Sequence, residues 1–437
     1  MLARVASVSS ALFDPALETR DRAGLEQHQL SRLRALLDAV LPTNAFYRAK
    51  LGSRLSVGSL NDLRQLPFTT KTELADDQAA QPPFGTNLTY PVEQYVKLHQ
   101  TSGTTGRAPI RWLDTDASWS WWARCWAHVY TGAGVGPGDR IFFAFSFGPF
   151  IGFWAAYEGA RTIGALAIPG GGMQTEQRLQ ALLDLEATAL CCTPTYALRL
   201  AEVAREAGID LAASPIRATI HAGEPGASVP SVRARIEEAY GARCFDHTGM
   251  TELGATGFTC QEQAGVHLIE SEFIFEVIDP GTREPVPPGS QGELVATNLG
   301  RAGMPLIRYR TGDLVLLDVH PCRCGRTFAR MAGGILGRAD DMLVVRGVNV
   351  FPSAIEGVLR EFPDVIEFRI EVSSSRSMAE LRILLELSPA TADPEHVVRQ
   401  VAERLHDRLL LRVPCERVPA GSLPRFELKA RRVVRVG

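Results

Sequence analysis

Apolar side chains recur at helical spacing early in the chain, at Leu30, Leu33, Leu36, Leu37 and Val40, and the run stops at the Leu41-Pro42 step. That spacing predicts an amphipathic helix within residues 26 to 53. From about 140 to 300, short apolar runs alternate with helical stretches: RIFFAF, a helix near 151 to 163, ALAIP, a helix near 175 to 187, ALCCT, a helix near 195 to 207, and RATIHAG. A strand that is apolar throughout needs cover on both faces, so this rhythm predicts a parallel sheet wrapped by helices. After 270, EFIFEVID and PVPPGSQGELVAT set alternating strands between proline and glycine turns, which predicts an antiparallel or barrel-like segment.

A polar, turn-prone run, GRADD at 337 to 341, precedes the strand MLVVRG and marks a boundary. Beyond it come a helix near 353 to 361, strands VIEFRIEV and ELRILLEL, and a helix near 394 to 409. The expected fold class is α/β. Residues 1–339 form a large N-terminal domain of helix-covered sheets plus a barrel-like β segment, and residues 340–437 form a small α+β C-terminal domain.

Composition narrows the classes of function. With 437 residues, 45% of them hydrophobic, the chain can bury more than one core. Its formal net charge of -3 supplies no global positive field, so neither nucleic acid nor an anionic membrane is an expected partner. Asp14, Glu18, Arg20 and Asp21 interrupt the start, no run of eighteen apolar residues follows, and the eight cysteines are thinly spread. These features predict a cytoplasmic protein with reduced thiols and no membrane span.

The candidate chemistry lies in loops. Thr101, Ser102, Gly103, Thr104, Thr105, Gly106 and Arg107 make a loop of hydroxyls and glycines closed by a cation. Glycines let backbone N–H groups approach phosphate oxygens, and the hydroxyls add donors. Alone, such a loop also fits a surface turn, and it lacks the Walker A spacing. Further motifs follow in order, two of them just after apolar strands: His221-Ala222-Gly223-Glu224-Pro225 and Asp246-His247-Thr248-Gly249-Met250-Thr251-Glu252. Then come Tyr309-Arg310-Thr311-Gly312-Asp313, Gly337-Arg338-Ala339-Asp340-Asp341, Val345-Arg346-Gly347 and the late Pro424-Arg425-Phe426-Glu427-Leu428-Lys429.

With this ordered series the chain resembles the adenylate-forming superfamily of acyl-CoA synthetases, peptide-synthetase adenylation domains and luciferases. It is most similar to the phenylacetate-CoA ligase family, over nearly its whole length. The resemblance implies an ATP-dependent acid:CoA ligase that adenylates an acid and then, after the small mobile C-terminal domain rotates, forms the thioester. It implies ATP, Mg²⁺ and coenzyme A as cofactors. The loop from Thr101 to Arg107 would embrace the leaving pyrophosphate, with Glu252 as the Mg²⁺ carboxylate, Thr251 beside the α-phosphate and Lys429 bridging phosphate and acyl oxygens. Gly223, Glu224, Pro225, Asp246, His247 and Thr248 would line the adenine, and Asp313 with Arg338 would hold the ribose. Asp340 would be the hinge and Gly347 would line the CoA channel. Arg107 stands where the family usually has Lys, Thr248 where it has Tyr, and the tail around Lys429 lacks the usual serine-glycine spacing.

Cys322 and Cys324 form a C-x-C pair, with Cys260 and His267 upstream. Three thiolates and one imidazole make a closed Cys₃His set, so a structural Zn²⁺ is expected. Aromatic side chains crowd SWSWWARCW and FFAFSFGPFIGFW. Most belong to the core, but by resemblance Phe145, Phe147, Phe150, Ala222, Gly249 and Gly254 surround the acid. That environment favours an aryl or arylacetic acid as the small-molecule partner. The resemblance also suggests a homodimer. Two other readings stay open: an adenylyltransferase of the same fold that forms no thioester, and a non-catalytic nucleotide-binding homologue.

Overall fold

The computed structural model describes residues 12–101, 108–148, 151, 154–224, 226–287, 289–339, 341, 343–345, 348–375, 378–409, 411–426 and 432–436. The N-terminal amphipathic run is a helix, Arg22–Val40. Asp21 caps it by accepting from the Gly24 N–H, and Leu25, Leu33, Leu36, Leu37 and Val40 bury its apolar stripe. Pro42 ends the run, and Asn44 caps a new helix, Ala45–Leu51.

The expected parallel sheet is present. Its strands lie in the order Leu166–Pro169, Arg140–Phe143, Ala189–Cys192, Ala218–His221, Arg243–Met250, each pair parallel. Ala189–Cys192 and Ala218–His221 are buried at every position, as strands covered on both faces must be. Helices Trp154–Thr162, Thr175–Asp184, Pro194–Glu206 and Pro230–Tyr240 supply the crossovers. Pro194 and Pro230 start their helices where a missing N–H costs nothing.

Strand Arg243–Met250 changes partner type half-way along. Its first half pairs in parallel, as far as His221 with Asp246, and its second half pairs antiparallel with Gly254–Thr259, beginning at His247 with Phe258. Antiparallel strands continue from there through Val266–Leu268, Arg330–Met331, Tyr309–Asp318 and Gln291–Asn298 to Phe273–Ile278. Asp246 thus stands at the carboxyl end of the parallel half, where open α/β sheets place their ligands.

A second sheet carries the C-terminal part, in the order Val348–Val350, Leu343–Val345, Met378–Leu387, Val365–Ser375, Val433–Arg435, with Cys415–Val418 beside Met378–Leu387. Helices Pro352–Leu359 and Pro394–Leu409 pack on it, and Val350, Ile355, Leu359, Ile383, Leu385 and Val401 form a separate core. Among the described residues, no helix is long and apolar enough to cross a membrane.

Candidate active site and metal centre

Several loops meet at one end of the parallel sheet. Thr193, Ala222 and His247 follow strand residues Cys192, His221 and Asp246, which are register partners on neighbouring strands. Gly223 adopts φ +95, a conformation that a side chain would strain, so the turn can leave the strand end sharply. Asp246 is buried and accepts from the Ser228 hydroxyl. Burial pushes its carboxyl up to about 6, against the opposing pull of the Ser228 hydrogen bond.

Residues 333–338 run from Asp246 to Asp313. A Cβ on Gly334 would stand 2.6 Å from Ser228 Oγ and 3.5 Å from Asp246 Oδ2. The Leu336 N–H donates to the Leu314 carbonyl at 2.8 Å, and Arg338 Nη1 donates to Asp313 Oδ1 at 3.0 Å from the paired strand. Residues 333–338 therefore link the surroundings of Asp246 to the Asp313–Arg338 pair, and the part of this connector that meets Asp246, Gly334, lies outside every motif.

The other expected nucleotide residues take distinct places. Thr101 is tied to Ile110, donating its N–H to the carbonyl at 2.9 Å and accepting at Oγ1 at 3.0 Å. Thr248 is buried with its hydroxyl 3.2 Å from that of Thr256. His247 turns into the core, its ring 4.2 Å from Trp126 and its Nδ1 donating to the Gly257 carbonyl, and burial lowers its pKa to about 4. Ser102, Gly103, Thr104, Thr105, Gly106, Arg107, Phe150, Pro225, Asp340, Gly347 and Lys429 lie outside the described residues.

Glu252 is 5% exposed and meets Lys71 Nζ at 3.3 Å. Lys71 opens the helix Lys71–Ala80, far away in sequence and outside every motif. Behind Glu252 lies an ion pair withdrawn from water. Arg301 donates to both oxygens of Asp114 at 2.7 Å, and its Nη1 donates to the Thr251 and Glu252 carbonyls at 3.0 and 2.8 Å. Both side chains of the pair are wholly buried, with Trp112 and Trp122 against the guanidinium. The pair fixes the backbone that carries Thr251 and Glu252.

The C-terminal segment reaches this end of the sheet through Arg432. Its guanidinium meets Glu367 at 2.6 Å, Glu356 at 3.4 Å and Glu224 at 4.0 Å, and it donates to Thr195 Oγ1 at 3.3 Å. Glu224 Oε1 accepts from the Thr195 N–H at 2.9 Å. The Glu224 carboxylate thus joins the loop after His221 to the tail that follows Lys429. In the sequence Arg432 is one of several cations in KARRVVR.

At the expected acid pocket, the Phe145 and Phe147 rings lie 4.6 Å apart, with Trp154 4.5 Å and Tyr157 5.9 Å from Phe147. A Cβ on Gly249 would stand 2.6 Å from the Gly254 carbonyl, and one on Gly254 would stand 3.3 Å from the Trp121 ring. Phe145, Trp121 and Phe273 belong to one buried cluster, against which Phe147 and Ala222 pack.

The four expected metal ligands converge as well. Cys260, His267, Cys322 and Cys324 are buried, and their ligand atoms lie within 4.8 Å of one another. Cys260 Sγ is 3.8 Å from Cys322 Sγ, and Cys324 Sγ is 3.5 Å from His267 Nε2. A tetrahedron with Zn–S about 2.3 Å and Zn–N about 2.0 Å has edges of about 3.8 and about 3.5 Å, so the spacing fits. His267 Nδ1 lies 3.1 Å from the Phe328 carbonyl, which can only accept, so the proton sits on Nδ1 and Nε2 turns its lone pair to the sulfurs. The Cys324 thiol is held far below the usual range by the hydrogen bond from Cys260, while the same bond raises Cys260.

Residues 31–301 match the family described as AMP-binding enzyme, and residues 347–435 match the AMP-binding enzyme C-terminal domain. The chain belongs to the AMP-binding enzyme family. This AMP-binding enzyme is 33% identical over 449 residues to the phenylacetate-coenzyme A ligase of Thermus thermophilus, covering 97% of this chain and 99% of that protein. It is also 33% identical over 440 residues to the phenylacetate-coenzyme A ligase of Escherichia coli, covering 98% of each. Its structure resembles 2-hydroxyisobutyryl-CoA ligase in the postadenylation state with 2-HIB-AMP, at TM-score 0.91 and 33% identity, covering 100% of this chain and 94% of that one. The same ligase in its thioesterification state, with 2-HIB-AMP and CoA, matches at TM-score 0.72 and 35% identity, covering 96% and 91%.

Arg301→Met leaves the Asp114 carboxylate buried and unpaired. Its expected cost is about 3–5 kcal/mol in denaturant unfolding followed by tryptophan fluorescence. Adding Asp114→Leu should recover most of that loss, and a single variant as stable as the wild type would remove the pair's structural role.

Proposed function

We propose that this AMP-binding enzyme joins an aryl or arylacetic acid to coenzyme A at the site described above. The reaction class is acyl-CoA ligase: acid and ATP form acyl-AMP with loss of pyrophosphate, and the acyl group then passes to the CoA thiol. Near-full-length identity of 33% with two phenylacetate-coenzyme A ligases supports that class.

A carboxylate repels the triphosphate it must attack, so the site has to gather positive charge around the phosphates. In this reading the loop from Thr101 to Arg107 closes on the pyrophosphate, Thr251 adjoins the α-phosphate and Lys429 bridges phosphate and acyl oxygens. The buried Glu252 carboxylate, a hard oxygen donor, suits Mg²⁺, which would neutralise phosphate charge when bound. Asp246 accepts from the exocyclic amine of adenine, and the loops at Gly223, Glu224, Pro225, His247 and Thr248 complete its surroundings. Asp313 accepts from the ribose hydroxyls, with Arg338 orienting it at 3.0 Å. Asp340 is the hinge between residues 1–339 and 340–437, and Gly347 leaves room for the CoA arm.

The observation that carries an aromatic substrate is the group of rings around Phe147, with Phe145 and Trp154 at 4.6 and 4.5 Å. Such rings offer edges and faces to a planar acid. A second reading, a small branched hydroxy acid, is favoured by the TM-score of 0.91 with 2-hydroxyisobutyryl-CoA ligase. The donor spacing of Cys260, His267, Cys322 and Cys324 supports a structural Zn²⁺ that would tie three chain segments together.

With ATP, Mg²⁺ and CoA, phenylacetate and benzoate should give acyl-CoA at higher kcat/KM than 2-hydroxyisobutyrate. The reverse order selects the second reading. Lys429→Ala should lose acid-dependent pyrophosphate exchange while still forming thioester from supplied acyl-adenylate, and equal loss of both contradicts its role.

Burial raises the Asp246 pKa to about 6, so the carboxylate is a pure acceptor only above that pH. ATP affinity should therefore fall as pH drops through about 6 in the wild type, with that inflection absent in Asp246→Asn. Superimposable profiles would exclude Asp246 from the adenine site.

Metal analysis should find about one zinc per chain. Its removal by chelation should lower the thermal midpoint while leaving the ratio of the two half-reactions unchanged. Protein that folds and stays equally stable without zinc removes the metal reading.

A further inference from the structure

A cavity of about 730 Å³ lies between the helices Pro194–Glu206 and Pro230–Tyr240 on one side and the C-terminal α+β unit on the other. Among the described residues, none of those proposed to touch nucleotide, acid or metal lines it. Six arginines do: Arg199, Arg205, Arg235, Arg360, Arg425 and Arg432. Among the described residues, Glu202, Asp210, Glu238 and Glu367 are the carboxylates in the same wall.

Much of this charge is already paired. Arg199 meets Glu202 at 2.5 Å, Arg425 meets Glu386 at 2.5 Å and Arg432 meets Glu367 at 2.6 Å. Asp210 accepts from the Ala212 N–H at 3.0 Å, and Glu238 is exposed to water. Arg235 differs from the rest: its Nη1 is buried with no hydrogen-bond partner among the described residues. Burial, and then the fields of Arg360 and Arg205, pull its pKa down. Arg360, 5% exposed, is disfavoured by burial and by Arg432, against the opposing pull of Glu356 at 3.5 Å, Glu367 and Glu224, and its pKa too falls below the usual value.

Guanidiniums crowded in a partly dry cavity repel one another until an anion enters, and a phosphate group matches their planar forks. We propose that this cavity binds a phosphate group between Arg235, Arg360 and Arg205, and that the bound group holds the two units in the arrangement seen here. Each unit supplies one half of the wall, so the anion binds this arrangement and loses contacts in any other. It therefore shifts the population by its differential affinity. The TM-scores of 0.91 and 0.72 against two states of one ligase place this chain in the postadenylation arrangement rather than the thioesterification one. Slowing of thioester formation is thus expected, a consequence that rests on the acyl-CoA ligase reading, whereas binding itself does not.

Calorimetry of the full chain with inorganic phosphate, at ionic strength held constant with chloride, reads the site directly. The wild type should show a binding component that Arg235→Gln weakens by about tenfold or more, the loss expected for a charged hydrogen-bond partner. Arg235→Gln should keep wild-type pyrophosphate exchange without added phosphate and a thermal midpoint no lower than the wild type, because it removes a repelled charge. Arg205→Gln, on the exposed rim, should weaken the same component if Arg235→Gln fails to fold. Adenosine 3′,5′-bisphosphate as a second probe separates sources: tighter binding points to a nucleotide's phosphate, and equal binding to the free anion. Phosphate should also slow thioester formation from supplied acyl-adenylate in the wild type and not in Arg235→Gln. No phosphate binding in the wild type, or equal affinity in the wild type and both variants, overturns the site. Binding lost in Arg235→Gln with no effect on the thioester step overturns the coupling alone.

Discussion

Arg301 and Asp114 meet with neither side chain exposed to water, and the placement of Glu252 depends on that meeting. A charge so buried is tolerated only when most of its donors and acceptors find partners in place of water. Arg301 uses them on Asp114 and on the Thr251 and Glu252 carbonyls, and so turns a desolvation cost into geometry. Three distant pieces of chain are fixed at once: the strand Arg111–Thr115, the turn after Met250 and the loop after Asn298.

Around that point the sheet does two jobs. Its parallel half, covered on both faces, is stiff and delivers strand ends in register. Its antiparallel half doubles back, returning Asp313 and Arg338 to the neighbourhood of Asp246 through residues 333–338. The C-terminal unit has its own core and touches this frame through charge. Arg432 is paired with Glu367 inside its own unit at 2.6 Å and reaches Glu224 of the larger unit only at 4.0 Å, so the contact that crosses the boundary is the longer of the two.

The cysteine cluster works at a different boundary. The turn that carries Cys322 and Cys324 is closed by Gly325 at φ +89, and the next residues hold the N-terminal segment. Arg326 meets Glu18 at 2.5 Å, the Thr327 N–H donates to the Glu18 carbonyl at 2.9 Å, and His128 completes the group at 3.1 Å. Although burial works to raise it, the Glu18 carboxyl stays below its usual range because His128 and Arg326 favour its charge.

Local signals were enough for much of this protein. Periodicity marked the helices Arg22–Val40 and Pro194–Glu206 and the apolar strands, because an element's buried face leaves its period in the chain. The ordered loops from Thr101 to Lys429 carried the family, and the C-x-C pair with Cys260 and His267 carried the metal set, because each chemistry demands particular residue types. Only the folded arrangement singled out Lys71 beside Glu252, Arg301 beneath it, Gly334 against Asp246, and the Arg235 and Arg432 sides of the interdomain cleft. A lone arginine or lysine has the same appearance in sequence whether it is solvated or buried. Its role comes from neighbours hundreds of residues away and from the water that packing removes, and neither leaves a local pattern.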